Sequence, residues 1–295
     1  MSGMRPERPR PSRPARRKDR RRTRLGHALR IAALVIVTAI VWLPLVVAIF
    51  TSFKPRAEIA SADPSLMPRE FTLSNYFRLF KVMDYEVYLK NSLIVAGCTA
   101  AICLLASSLA AFSLVWLRFR GKRLFLGMTL FVYMFPQILL VIPLFVMCFR
   151  LHLLDTRFAL VLTYLSFVLP FGIWMQRNYF QSISGDLVDA ALTDGCSYFQ
   201  CMVKVIFPIS LPAMATVLTF AFIAAWNEYM FANILVSSDA VRTASVGLQT
   251  LIGSHSTDYG MLTAASVIMA VPVIVFFLLI QRYFREGLTM GGVKG

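Results

Sequence analysis

Side chains that could take part in chemistry are few in this sequence, and most are isolated from one another. The histidines lie far apart at His27, His152 and His255, and no two of the five cysteines form a CxxC pair. They therefore predict neither a metal centre nor a disulfide framework. The sequence contains no GxxxxGK[ST] phosphate-binding segment and no Ser/His/Asp or HExxH pattern. We predict no catalytic residue, no metal and no cofactor in this chain.

One carboxylate, Glu228, stands inside a long apolar stretch, next to Trp226, Asn227 and Tyr229. An ionisable residue within a membrane-spanning segment is a functional hypothesis by default. The structural alternative is that Glu228 pairs with an arginine, a backbone amide or water. The residues themselves leave both interpretations open, and Trp226 is compatible both with packing in the protein and with the wall of a transport pathway.

A second polar group lies between two apolar stretches, in the run Asp189-Ala190-Ala191-Leu-Thr-Asp194-Gly195. Ser184 can cap a helix from residue 185, and Gly195 can take a left-handed backbone that ends it. Ser197 with Gln200 forms a capping box that restarts a helix, and Pro208 marks the entry to the next apolar stretch. We therefore predict a helix, a glycine turn and a second helix over residues 184–208.

The elements around these residues are long and apolar. Hydrophobic residues make up 58% of the 295 residues, and charged residues only 15%. Six apolar stretches of about 18–26 residues are each long enough to cross a bilayer as a helix. The predicted fold is an all-α integral membrane protein with six transmembrane helices, over Ile31–Phe50, Ser92–Leu117, Leu124–Phe149, Phe158–Met175, Leu211–Val236 and Thr263–Ile280.

The charge is strongly asymmetric. The net charge is +15, and residues 1–30 hold twelve Lys/Arg against two acids. This proline-rich segment predicts a disordered basic cytoplasmic tail over residues 1–27 that fixes orientation and contacts anionic lipid. A nucleic-acid-binding arm and a twin-arginine signal fit less well, and we expect no nucleic-acid partner. The acid-free cluster Arg118, Arg120, Lys122 and Arg123 is also predicted to be cytoplasmic, so both termini are inside.

The segment 184–208 lies on the cytoplasmic side in this topology. It carries three aspartates but only one base, Lys204, whereas helices that lie on lipid are rich in bases. A docking element for a soluble partner is therefore favoured over an interfacial helix that rests on lipid.

The same segment resembles the EAA loop of binding-protein-dependent ABC importer permeases. That pattern is Glu-Ala-Ala, three residues, Gly, nine residues, Ile, one residue, Leu-Pro. Here it is Asp189-Ala190-Ala191, Gly195, Val205 and Phe207-Pro208 at the same spacing, with Asp for Glu, Val for Ile and Phe for Leu. "TSFKP", "FTLSNYFRLF", "WNEYMFANIL" and the C-terminal "QRYFREGLTMGGVKG" further resemble the maltose and glycerol-phosphate permease type, over roughly residues 28–295.

The resemblance implies a function and partners. It implies that residues 28–284 form a permease domain in a prokaryotic inner or plasma membrane, and that residues 285–295 form a cytoplasmic glycine-rich tail. It implies a second homologous permease, two ATPase subunits that bind ATP and Mg, and an external solute-binding protein. Segment 184–208 would couple to the ATPase through Asp189, Ala190, Ala191, Asp194, Gly195 and Pro208.

The resemblance also gives the four residues around Glu228 an expected role. Trp226, Asn227, Glu228 and Tyr229 become candidates for the transport pathway of a sugar or sugar-like solute. A permease for a non-sugar solute is an alternative. A secondary transporter is less favoured, because such carriers contain several intramembrane ionisable groups and internal repeats.

Overall fold

The computed structural model describes residues 16–63, 65–253 and 257–291, and in these ranges it is helical with one isolated bridge between Ile252 and Thr257. Fourteen α-helices occur in this part of the chain. They are α1 (Arg16–Ser52), α2 (Arg56–Ile59), α3 (Ser74–Met83), α4 (Tyr85–Trp116), α5 (Lys122–Met134), α6 (Val141–Arg150), α7 (Arg157–Gln181), α8 (Gly185–Thr193), α9 (Tyr198–Cys201), α10 (Phe207–Ile209), α11 (Leu211–Trp226), α12 (Met230–Leu235), α13 (Ala244–Thr250) and α14 (Tyr259–Gly291).

Four of these helices are long and apolar enough to cross a membrane unaided. They contain the segments Leu29–Ser52, Tyr85–Trp116, Arg157–Gln181 and Tyr259–Tyr283. Two further candidates are bent pairs, Lys122–Met134 with Gln137–Arg150 and Tyr198–Ile209 with Leu211–Trp226. The predicted class, an all-α membrane protein, is confirmed, and the number of spans is six if each bent pair is one span.

The third and fifth predicted helices are not continuous. The third bends by 99° between Met134 and Gln137, where Pro136 lacks a backbone N–H and pushes the preceding Phe135 into an extended conformation (ψ 131°). A 3₁₀ turn, Gln137–Leu140, then leads into α6. The fifth ends at Trp226 instead of Val236, and α12 follows after a break of three residues.

The structure also differs from the prediction in the basic tail. Helix α1 begins at Arg16, so residues 16–27 are helical, and residues 1–15 lie outside the described residues. The last proline before the helix is Pro14, and the straight side chains of arginine and lysine lose little rotamer freedom in a helix. At the other end, α14 continues to Gly291, and residues 292–295 lie outside the described range.

Helices α4, α7 and α11 form the main core, while α1 packs chiefly on α14. Small residues let α4 and α7 approach closely: a Cβ added to Gly172 would lie 3.1 Å from both Cys103 Sγ and Ser107 Cβ. The buried Gln176 side chain joins the two helices. Its Nε2 donates to Ser107 Oγ (2.8 Å) and its Oε1 accepts from Ser108 Oγ (2.9 Å).

Candidate functional site

Helix α8 begins and ends where the sequence predicts. Ser184 Oγ accepts the Asp186 N–H (3.3 Å), so the N-cap is confirmed. At the C-terminal end, the Gly195 N–H donates to the Leu192 carbonyl (3.1 Å) and the Cys196 N–H donates to the Ala191 carbonyl (3.0 Å). These two bonds are those of a Schellman turn. Gly195 has φ +88°, which is the left-handed conformation that this turn requires.

The chain restarts as a helix directly after that turn. Ser197 Oγ accepts the Gln200 N–H (3.3 Å), and Gln200 Oε1 accepts the Ser197 N–H (2.9 Å). The predicted capping box is therefore confirmed. Helix α9 passes into a π-helical turn, Met202–Ile206, and then into α10, which contains Pro208. The axis bends by 82° between the segments Tyr198–Ile209 and Leu211–Trp226.

Residues 184–208, which we call the coupling segment after the role that the resemblance implies, pack against the ends of two long helices through an apolar cluster. Val188 and Ala191 of α8 are buried in it, together with Phe180 of α7 and Phe112 of α4. Cys201, Met202 and Ile206 are buried in the same cluster. Since the apolar side of the segment packs on α4 and α7, a force applied to it acts on both helices.

The opposite side of the coupling segment is exposed. Asp189, Ala190, Asp194, Gly195 and Pro208 are all exposed, whereas the predicted contact residue Ala191 is buried in the cluster. Large apolar side chains accompany the aspartates, and Leu187 is 46% and Phe199 67% exposed. Exposed apolar side chains next to acids, on a rigid element, are typical of a surface that binds a protein.

A second candidate site lies where α11 ends and α12 begins. The Glu228 carboxylate caps α12: Oε1 accepts the Phe231 N–H (2.8 Å) and Oε2 accepts the Ala232 N–H (3.0 Å). Ser245 Oγ donates to the Glu228 carbonyl oxygen (2.5 Å). The hydroxyl of the buried Tyr164 has no hydrogen-bond partner among the described residues. Glu228 therefore has a structural role, with backbone amides as its partners.

The four pathway candidates do not share one environment. Trp226 is 1% exposed, stacks on Phe222 with ring centroids 5.8 Å apart, and donates from Nε1 to the Met269 carbonyl (3.2 Å). It joins α11 to α14 as a core residue. Asn227, Glu228 and Tyr229 instead line a cavity of about 630 Å³, and Asn227 and Tyr229 also line a second one of about 620 Å³.

Sequence reasoning missed a group of polar residues that hold the chain after α12. Asp155 Oδ1 accepts the N–H groups of Ser237 (3.0 Å) and Ser238 (2.9 Å). Asn91 Nδ2 donates to the carbonyls of Ala240 (3.0 Å) and Arg242 (2.9 Å). The sequence signal was weak, because Asp155 is a single acid in a short connection and its partners lie more than 80 residues away.

The described ranges contain no group of three or more metal-binding side chains. His255 lies outside them. A helical membrane domain with an exposed surface segment and cavities at a broken helix is compatible with a transport subunit. Residues 102–288 match the family model described as the binding-protein-dependent transport system inner membrane component. The chain belongs to this family.

Two relatives and one solved structure agree with that assignment. The chain is 34% identical over 275 residues to the inner membrane ABC transporter permease protein YcjP of Escherichia coli (strain K12), covering 92% of this chain and 97% of that protein. It is 34% identical over 274 residues to the trehalose/maltose transport system permease protein MalG of Thermococcus litoralis, covering 92% and 98%. A bacterial ABC transporter that imports the acidic polysaccharide alginate has a chain with a TM-score of 0.78 and 25% identity, covering 94% of this chain and 99% of that one.

Proposed function

We propose that this chain is a permease subunit of an ATP-driven importer that carries a sugar or sugar-like solute. The coupling segment carries the proposal, because it is a rigid, exposed element with the EAA spacing that packs on two spans. The relative named for trehalose/maltose transport supports a sugar as cargo.

The proposal includes the partners. A second, homologous permease completes the pathway, and an external solute-binding protein delivers the solute. Two ATPase subunits bind ATP and Mg and receive the coupling segment, so this chain needs no cofactor of its own. In this proposal each bent helix pair is one span, and six spans put both termini on the same side of the membrane, which the positive-inside rule assigns to the cytoplasm. The basic cluster Arg118–Arg123 supports this orientation and contact with anionic lipid.

Asp189 is the residue of the coupling segment that would pair with a base of the ATPase. Its side chain is exposed on the second turn of α8, beside Ala190, and its own backbone carbonyl accepts from Thr193 Oγ1 (2.8 Å). Gly195 acts indirectly, because it fixes the angle between α8 and α9. Ala191 and Pro208 serve the segment as a buried contact and as part of its junction with α11.

The test is affinity purification of the tagged chain from its native membranes in mild detergent, with identification of the co-purifying proteins. We expect an ATPase and a second permease with the wild type, and loss of the ATPase with Gly195→Pro. Gly185→Pro is the matched control. Gly185 is the first residue of α8, and Ser184 before it is already extended (ψ 132°), so proline fits there. A chain that purifies without an ATPase and still transports after reconstitution would contradict the proposal and support a carrier.

A further inference from the structure

The break between α11 and α12 separates two cavities that share the same wall. Asn227 and Tyr229 line both of them. The first cavity, about 630 Å³, extends toward α5 and α7, and the second, about 620 Å³, toward α13 and α14. Each is large enough for a sugar ring or a disaccharide, since small-molecule sites span about 300–1,000 Å³.

The two cavities have different linings. Aromatic rings dominate the first, contributed by Tyr133, Phe135, Phe167 and Phe220. Hydroxyl and amide groups line the second, from Ser245, Gln249 and Ser266, beside aliphatic side chains of α14. A pyranose has apolar C–H faces that pack on aromatic rings, and hydroxyls that bond to amides and hydroxyls. Together the cavities offer both kinds of contact.

The shared wall has unused hydrogen-bonding capacity. Asn227 is exposed and its Nδ2 donates to the Ile223 carbonyl (3.0 Å), which leaves Oδ1 available to accept from a solute hydroxyl. The Tyr229 side chain is 37% exposed, and its hydroxyl has no hydrogen bond to another residue of the described ranges. Both residues can therefore contact a solute without breaking an existing bond.

The lining of the two cavities disfavours an anionic solute. Glu228 is the only charged side chain among the described residues that line these two cavities. Its two oxygens accept from the backbone N–H groups of Phe231 and Ala232, and no basic side chain of the described residues lines either cavity. An anionic solute would therefore meet a carboxyl group here and no cation from the described residues of this chain.

We propose that this chain itself holds the solute at the break, in a subsite for an uncharged sugar, with Tyr229 as the stacking residue and Asn227 as the hydrogen-bonding residue. The proposal rests on the proposed function and adds two contact residues and a charge preference to it. Glu228 is a positioning residue in this subsite, because it caps α12 and fixes the wall.

The test is saturation-transfer NMR on the complex purified from native membranes and placed in lipid nanodiscs. The probes are maltose, trehalose and arabinobiose, and a maltose analogue with a uronic acid at its non-reducing end. We expect signals from at least one neutral disaccharide and at least threefold weaker binding of the uronate. Loss of one aromatic contact is worth about 0.5–1.5 kcal/mol, so Tyr229→Ala should weaken binding about two- to tenfold, and Tyr229→Phe should bind better than Tyr229→Ala.

Two variants serve as matched controls. Tyr259→Ala and Asn233→Ala remove the same side-chain types from exposed positions that line neither cavity, and binding should not change. Equal binding of the uronate, wild-type binding by both Tyr229→Ala and Asn227→Ala, or no binding of any neutral disaccharide would overturn the inference. If no ATPase is present in the wild-type preparation, the proposed function itself fails, so the two failures are distinguishable.

Discussion

Gly195 offers a perturbation whose magnitude follows from the backbone alone. Its φ is +88°, and a Cβ built on it would meet nothing within 4 Å. Substitution therefore changes conformational energy without creating a clash. An L-residue in the left-handed region costs about 1–2 kcal/mol, and asparagine costs less because it tolerates that region. Proline costs more, because its φ is fixed near −65° and it removes the N–H that bonds Leu192.

Hydrogen exchange of the peptide spanning residues 185–200 measures this cost directly. Exchange protection reports the equilibrium for local opening, so a loss of 1–2 kcal/mol should lower it about 5- to 30-fold in Gly195→Ala. With these residues at position 195, we expect protection to decrease in the order glycine, asparagine, alanine, proline. ATPase co-purification should decrease in the same order. Wild-type protection in Gly195→Ala would refute the role of the turn. Lower protection in Gly195→Asn than in Gly195→Ala would refute it as well, because protection would then follow side-chain size and not backbone conformation.

Three further predictions concern charged groups. Asp189→Ala should weaken ATPase co-purification by up to about fivefold, the value of an exposed ion pair, and Asp189→Lys should weaken it further, while Asp189→Glu retains it. Glu228→Gln should keep assembly but change uptake kinetics, because an amide offers one acceptor for two N–H groups and loses about 1 kcal/mol at the cap. Asp258 accepts from Arg78 (2.6 Å), and burial opposes the ionised form, but the Met261 amide and Arg78 outweigh burial and lower the pKa of Asp258. The contribution of Asp258 to stability is therefore complete above pH about 4 and is lost as the pH falls below that. In Asp258→Asn, the Tm of the purified complex should depend less on pH below about 4.

Each of these predictions has a result that would contradict it. Equal ATPase recovery from the Asp189 variants would contradict the proposed ion pair, and Asp186→Ala is the control for general loss of charge on the same segment. Unchanged uptake kinetics in Glu228→Gln would mean that the cap does not shape the pathway. A steep loss of stability at low pH that persists in Asp258→Asn would assign the dependence to another carboxylate.

The coupling segment could be predicted because its conformation is set locally. Ser184, Gly195, Ser197 and Gln200 act on backbone groups two or three residues away, so their spacing alone gives the caps and the turn. The apolar stretches predicted the spans for a similar reason, since length and composition suffice.

The break after Trp226 could not be predicted in this way. The sequence WNEYMFANIL contains no glycine or proline and is compatible with a continuous helix. What stabilises the break is tertiary: Ser245 lies 17 residues further along the chain and donates to the Glu228 carbonyl. The bend near Pro136 was signalled by the proline, but its angle depends on how α5 and α6 pack.

The most direct measurement is uptake by proteoliposomes that contain the purified complex, with its solute-binding protein outside. We predict that uptake requires ATP on the coupling-segment side, persists when proton and sodium gradients are collapsed, and is abolished by Gly195→Pro but not by Gly185→Pro. Uptake without ATP that follows an ion gradient would contradict the importer, and uptake by this chain without an ATPase would do so most decisively.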